Sequence, residues 1–467
     1  MTSVSGLIVA LLIPMVLGYS WLNWIWRDAH LAAKIGYSYF LGIFFTTIVI
    51  YIYGSLGLSL DFWPIALILV GLSIFPVFFT IRDGAHQTTK INVTNAGWKK
   101  WLWWLLVLLL VIRFCGLAFE ELWRPLYPWD AWMNWAPKAK TWFELKELVP
   151  YVHPDSWPMQ SMQSGAYTLA NPKASTYPPL VPLVQLWAAL GIGEWRDNWV
   201  NLPWLFAGIA LIMAVYGQLH LLHIHPVWSM LTIYLLFSTP YINTHIALAG
   251  YAELWLAAFY TLGFLSFSRW VISGQRFQLL LTILMMIACI LTKKPGMLWA
   301  STLMLGILFN MLSVRWRLIT LVSCALVVAL WWIMGGIQFE LSNGQNFTFT
   351  PDELKIDGAM HYAFWYHPVG EYFARNLLVL ENWHLIGWLI LLGTLPIFVI
   401  CIAHKRLLPI AIPIIFSSIS IGLIFFFTNH YAAAIDSTTL NRAVFHILPS
   451  MYLLAVIACW KRLGDTH

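Results

Sequence analysis

Charge is scarce in this chain: Asp, Glu, Lys and Arg together make up 10% of its 467 residues. Soluble domains carry about a quarter of their residues as charges, so a water-facing globular surface is excluded. The five cysteines, Cys115, Cys289, Cys324, Cys401 and Cys459, all fall in apolar stretches with no CxxC spacing. That leaves no thiolate metal cage and no disulfide framework, and the five read as packing residues. There is no phosphate-binding lysine loop, no GxGxxG after a strand, no HExxH and no pore-like ring motif, which argues against cytosolic ATP use. No internal repeat is visible, so the inverted-repeat pattern of many secondary transporters is missing.

What remains is apolar: 60% hydrophobic residues and a mean hydropathy of +0.73. The runs are long, and none shows the ten-residue alternation of a membrane β-barrel, so the chain reads as an all-α polytopic membrane protein. Thirteen runs are long enough to be counted as transmembrane helices, at 5–26, 33–56, 61–81, 99–118, 198–219, 226–243, 250–269, 277–292, 297–313, 317–336, 384–402, 407–427 and 443–460. The first has no basic segment before it and reads as a span, not a cleavable signal. A further run, 177–193, is short and rich in proline. Treated as an interfacial or re-entrant helix, it puts every short basic loop (Arg27/Lys34, Arg82/Lys99/Lys100, Arg269/Arg276, Arg315/Arg317, Lys405/Arg406, Lys461/Arg462) on one side. By the positive-inside rule that side is the cytoplasm, which also accounts for much of the net charge of +6. The polar segments 119–197, 337–383 and 428–442 are then extracytoplasmic. Most of the 29 tryptophans, many at run ends, read as interface anchors.

The first polar segment contains YPWDAWMNWAPKAKTWF, residues 127–143. Pro125, Pro128 and Pro137 cut it into two short helices that meet near Pro137 and lie on the membrane, with Trp129, Trp132, Trp135 and Trp142 dipping into the headgroups. Asp130 is either the N-cap of the following helix or a base at the bilayer surface, and Asn134 shares its face at i, i+4. Glu253 opens an apolar run at its outer end, where it either serves the helix dipole or belongs to a site, with His245 eight residues earlier across Gly250. Lys138, Lys140, Lys293, Lys294 and Arg442 are outward cations that the positive-inside rule does not explain. They either snorkel or donate to a phosphate, and His446 stands one turn after Arg442. Tyr177, held extended by Pro178, marks a helix-start turn or the wall of a lipid groove.

Taken in order, WDAWMNWAPKAK, YPPLVPLVQLW, GYAEL, TKKPG and TLNRAVFHILP resemble the GT-C class of membrane glycosyltransferases over about residues 99–455. The resemblance implies a GT-C-like core at 99–336 containing the loop 119–197, preceded by helices at 1–98 with no assigned role. It further implies an acceptor-side loop at 337–383 and C-terminal helices at 384–467. The family pattern assigns an essential acid to Asp130 and a second to Glu253, with Lys138, Lys294 and Arg442 on the lipid phosphate. Lys140, Asn134, Tyr177, His245, Lys293 and His446 are further candidate contacts with donor or acceptor. The expected partners are a polyprenyl-phosphate-linked sugar, an extracytoplasmic protein, glycan or lipid acceptor, and membrane lipids, with no nucleic acid. The expected location is a bacterial inner membrane, with the site facing the periplasm or outside. Many relatives pair two acids where this chain has Asp130-Ala131-Trp132, so no cofactor is firmly implied and a divalent metal stays open without the paired-acid motif to support it. Two other readings stay open: an en bloc ligase using a lipid diphosphate, and a transporter or flippase of lipid-linked sugars.

Overall fold

A computed structural model describes residues 3–82, 97–341, 344–357 and 360–464. The chain forms two compact units, residues 1–300 and 301–467. Ten helices among the described residues are long and apolar enough to cross a membrane. Three of the thirteen expected runs are shorter as helices: Pro226–Phe237, Arg276–Thr292 and Pro295–Met311.

The first unit holds α1 (Ser3–Ile25), α2 (Leu31–Ser55), α3 (Phe62–Arg82), α4 (Trp98–Trp123), α5 (Ala136–Leu145), α6 (Trp157–Ser164) and α7 (Leu180–Ile192). It continues through α8 (Leu202–Leu221), α9 (Pro226–Phe237), α10 (Pro240–Ala247), α11 (Glu253–Ser273) and α12 (Arg276–Thr292), and α13 (Pro295–Met311) leads into the second unit. Pro226, Pro240 and Pro295 each open a helix, where the missing N–H costs nothing. Pro240 is also why the run 226–243 is not one span: the chain is extended at Thr239 and restarts as α10.

Small residues let these helices approach closely. Gly42 of α2 lies against the Pro14 carbonyl of α1, and Gly18 of α1 against the Ser38 carbonyl of α2, so a Cβ at either would overlap the partner's backbone. Gly42→Leu is expected to cost about 1–3 kcal/mol by overpacking, visible as a lowered unfolding temperature in detergent.

The two ends of the first unit differ in character. At one end Lys34 Nζ donates to the Arg27 carbonyl at 2.9 Å, Arg269 Nη1 to the Leu221 carbonyl at 2.6 Å, and Trp26 packs on Phe277. Arg27, Lys34, Arg269 and Arg276 therefore gather at one end, as the basic-loop pattern requires. At the other end Ser3 Oγ donates to Glu194, and the Leu60 N–H donates to the Lys146 carbonyl at 2.8 Å. The Arg462 side chain of the last basic pair lies outside the described residues.

Packing refines two expectations. The short helix in 177–193 is enclosed by protein: all thirteen residues of α7 are buried, with Trp187 Nε1 donating to the Ala10 carbonyl and its ring stacked on Phe62. A helix apolar on every face is stable only when surrounded, and here protein surrounds it. Not all of the tryptophans are surface anchors: Trp135, Trp187, Trp204, Trp255, Trp299 and Trp383 are fully buried. Burial of the large ring area, with the indole N–H satisfied by a carbonyl as at Trp187 and Trp204, outweighs placement at the headgroups there.

The second unit holds α14 (Val314–Ile333), a four-stranded sheet, α15 (Gly370–Ala374), α16 (His384–Ala403), α17 (Leu407–Phe427), α18 (Ala432–Ile435) and α19 (Leu440–Gly464). The sheet is an antiparallel meander in the order β1 (Ile337–Glu340), β2 (Asn346–Phe349), β3 (Glu353–Ile356) and β4 (Met360–Ala363). Phe339 pairs with Phe347, Thr348 with Lys355, and Lys355 with His361. This sheet is a departure from the all-α expectation, in which 337–383 is a loop.

Candidate functional site

The segment after α4 is built around proline, as its sequence requires. Residues Ala131–Trp135 form a single π turn, closed by the Ala136 N–H donating to the Ala131 carbonyl, and α5 follows with Pro137 in its first turn. The two short helices expected to meet near Pro137 are instead one helical run over 129–145, with the π turn just ahead of the proline. The π turn was not legible, and such turns recur at functional positions. Asp130 immediately precedes it, is 8% exposed and makes no capping hydrogen bond, so capping is not what holds it there. Trp129 and Trp132 are exposed as expected, whereas Trp135 and Trp142 are buried in protein. Trp142 Nε1 donates to the Val149 carbonyl, and Trp135 packs on the Tyr177 ring at 5.2 Å.

Tyr177 is the centre of the arrangement. Its backbone is extended (φ −73°, ψ 141°) after a short 3₁₀ turn at Pro172–Thr176, which is what a following proline imposes. Lys138, 3% exposed, donates to the Ser175 carbonyl at 3.1 Å and the Tyr177 carbonyl at 3.4 Å, and lies 5.6 Å from the Tyr151 ring. Exposed Lys294 stands 5.5 Å over the Tyr177 ring. Burial, and then the charge of Lys294, push the Lys138 ammonium down from 10.5 to about 8. Neither lysine forms an ion pair among the described residues. A buried ammonium held only by neutral carbonyls and a ring is a costly arrangement unless an anion joins it.

Beside this lies the turn that precedes α11. Gly250 has φ +96°, a conformation that favours glycine, and a Cβ there would come within 2.7 Å of Ala131 Cβ on the π turn. The turn separates α10 from α11, so His245 and Glu253 are not on one helix. His245 is buried, with Nδ1 2.9 Å from the Tyr241 carbonyl and its ring 5.4 Å from Tyr251. Glu253, the first residue of α11, is fully buried and pairs with Lys293 at 2.5 Å. It therefore neither snorkels nor acts through the helix dipole alone. Lys293 and Lys294, adjacent in sequence, serve two roles: one neutralises Glu253, the other faces Tyr177.

Asp130, Asn134, Lys138, Tyr177, His245, Glu253, Lys293 and Lys294 thus all lie in the first unit, on the π turn, α5 and the segments that pack beside them. Asn134 accepts a hydrogen bond from Asn171 at 2.9 Å. Lys140 is exposed and stands apart from the buried lysine. Arg442 and His446 belong to the second unit, one turn apart on α19; there Asn441 accepts from Trp383 Nε1 and donates to Asn376. No known protein family, characterised protein or solved structure matches this chain.

Sequence reading missed several residues. Glu121, 3% exposed at the end of α4, accepts a hydrogen bond from the Ala249 N–H beside the Gly250 turn. Gln185 of buried α7 donates to Asn201 at 2.8 Å, and Asn201 donates to the Asp197 carbonyl. Polar residues inside apolar runs were the available signal. No group of three or more His, Cys, Asp or Glu among the described residues is placed to hold a metal ion. Two cavities lie elsewhere: one of about 640 Å³ between α1, α2 and α3, and one of about 370 Å³ among α16, α17 and α19, both lined almost wholly by apolar side chains.

Proposed function

We propose that this protein is an integral membrane glycosyltransferase that moves a sugar from a polyprenyl-phosphate carrier to an acceptor outside the cytoplasm. The observation that carries the reading is the buried Lys138 ammonium, unmatched by a carboxylate among the described residues and adjacent to Lys294 and Tyr177. A phosphate at the membrane surface supplies the missing negative charge, and two cations with an aromatic wall suit a phosphate carried on a lipid. The proposal rests on residues of the first unit alone.

The chemistry follows from the leaving group. An acceptor hydroxyl attacks C1 of the sugar, the C1–O bond to phosphate breaks, and the polyprenyl phosphate departs with the bonding electrons. Lys138 and Lys294 stabilise the charge that develops on that phosphate. Asp130 takes the hydroxyl proton as the new bond forms on the opposite face, so the anomeric configuration inverts in one displacement. Glu253, neutralised by Lys293, orients sugar or acceptor hydroxyls.

The test is polyprenyl phosphate binding as a function of pH. Phosphate monoesters lose their second proton near pH 6 and Lys138 loses its own near 8. Affinity is therefore expected to peak between the two and to fall above pH 8, approaching about tenfold per pH unit. Lys138→Met flattens the alkaline limb and weakens binding. Stability moves the other way. A Lys whose pKa falls from 10.5 to about 8 on folding opposes folding fully below 8, and progressively less as pH rises to 10.5. Lys138→Met is thus expected to be neutral or stabilising at pH 7. Unchanged affinity in Lys138→Met, or a pH-independent affinity in the native protein, rejects the phosphate cradle.

A further inference from the structure

The four-stranded sheet of the second unit is two-faced. Antiparallel pairing puts Ile337 opposite Phe349, Phe339 opposite Phe347, Phe349 opposite Leu354, Phe347 opposite Ile356 and Leu354 opposite Tyr362. Residues directly opposite share a face, so one face of the sheet is entirely apolar at these positions. The other carries Gln338, Glu340, Asn346, Thr348, Glu353, Lys355 and His361. Polar contacts run across it: His361 meets Glu353 at 2.8 Å, and Asn346 and Lys355 both reach Asp357 at 3.0 Å. The apolar face remains open, with Ile337 and Phe339 each 51% exposed.

What covers that face is indicated by the helices attached to it. Helix α14 is a candidate span with none of its residues buried, and its exposed end, Trp332–Ile333–Met334, runs into β1 within three residues. Trp331 packs its ring on Phe349 at 4.6 Å and donates Nε1 to the Phe349 carbonyl at 2.9 Å, so the helix end meets the sheet on its apolar side. At the other edge His430, just after the span α17, lies 5.4 Å from Tyr362, also on the apolar side. The turn between helix and sheet is tight: Gly336, at φ +97°, abuts the Phe349 carbonyl and leaves no room for a Cβ. Two spans thus meet the sheet from the same side, and that side is apolar.

We infer that the sheet is a membrane-docking element, lying on the outer surface of the bilayer that α14 and α17 cross, with Ile337, Phe339 and Phe349 in the headgroup–acyl boundary. The opposite orientation is excluded by charge, since the polar face carries Glu340 and Glu353 against Lys355 and would be repelled by anionic headgroups. The polar face then looks into the aqueous phase, held at the height of the membrane surface. The inference depends on the spans and the sheet, and not on the proposed reaction.

The test places photoreactive benzoylphenylalanine at Phe339, or at its neighbour Gln338, in the full-length chain reconstituted into phosphatidylcholine–phosphatidylglycerol liposomes. Phospholipid crosslinking at Phe339 is expected to exceed that at Gln338 by about tenfold, the ratio that burial of one aromatic side chain sets. Equal lipid labelling at the two positions overturns the inference, as does a Phe339 crosslink formed only within the protein. Phe349 and Thr348 form a second pair with the same expected contrast, so a misfolded variant at the first pair leaves the comparison intact.

Discussion

Replacing Asp130 with asparagine is expected to lower the rate of sugar transfer by about 10²–10⁴-fold, with the fold and the affinity for donor unchanged. The substitution keeps the shape and removes the charge and the capacity to accept a proton. Asp130 makes no capping hydrogen bond to the π turn that follows. The turn is also secured independently, because Ala131 packs against the Gly250 turn and Trp135 against Tyr177. A fall in kcat with KM for the donor unchanged identifies the proton acceptor, since the interaction lost is one made only in the transition state. A fall in donor affinity with kcat unchanged would instead make Asp130 a binding residue. Native-like kcat removes it from the mechanism.

Lys293→Met is expected to have the largest effect on stability, about 3–5 kcal/mol. Glu253 is fully buried at the start of α11, and its ion pair with Lys293 joins that helix to the C-terminal end of α12 across forty residues of chain. Truncating the cation leaves the carboxylate in a dry site without the charge that balances it, which is the costly way to break such a pair. The result should appear as a drop on the order of 10 °C in unfolding temperature in detergent. Glu253→Gln together with Lys293→Met should recover much of that loss, because the uncompensated charge is then gone. The neighbouring Lys294→Met, exposed and outside any ion pair among the described residues, should leave the unfolding temperature nearly unchanged while weakening phosphate binding. The two adjacent lysines are thereby separated by experiment: one stabilises, the other binds.

Much of the architecture was legible because lipid leaves few options. A long apolar run must be a helix, and its length in residues gives its span. The interruption at Thr239–Pro240 was not legible, because the run 226–243 is apolar enough throughout to read as one span. The direction in which a short helix buries its side chains was not legible. Trp135 and Trp142 have the composition of interface anchors, and only the π turn and the packing of Tyr177 turn the former inward. Likewise α7 is apolar on all sides, which is compatible with lipid or protein as surroundings, and tertiary packing decides for protein. The sheet was missed because each strand is four residues long, too short for its alternation to stand out from an aromatic-rich loop.

The candidate site was legible as residue types and not as pairings. Asp130, Lys138, Glu253 and the two lysines at 293 and 294 stand out because polar groups beside apolar runs need a reason. That Lys293 belongs to Glu253, and Lys294 to Tyr177, depends on contacts separated by 40 and 117 positions in sequence, which no local pattern encodes. The cost of burying Lys138 likewise emerges only once its neighbours are fixed.

The central claim is tested most directly by supplying the reconstituted protein with a panel of polyprenyl-phosphate monosaccharides and an acceptor extract, and measuring free polyprenyl phosphate. The account predicts release from at least one of these donors, dependent on acceptor and lost in Asp130→Asn. Release only from lipid diphosphates, or none from any donor while intact lipid-linked sugar crosses the bilayer, would contradict it.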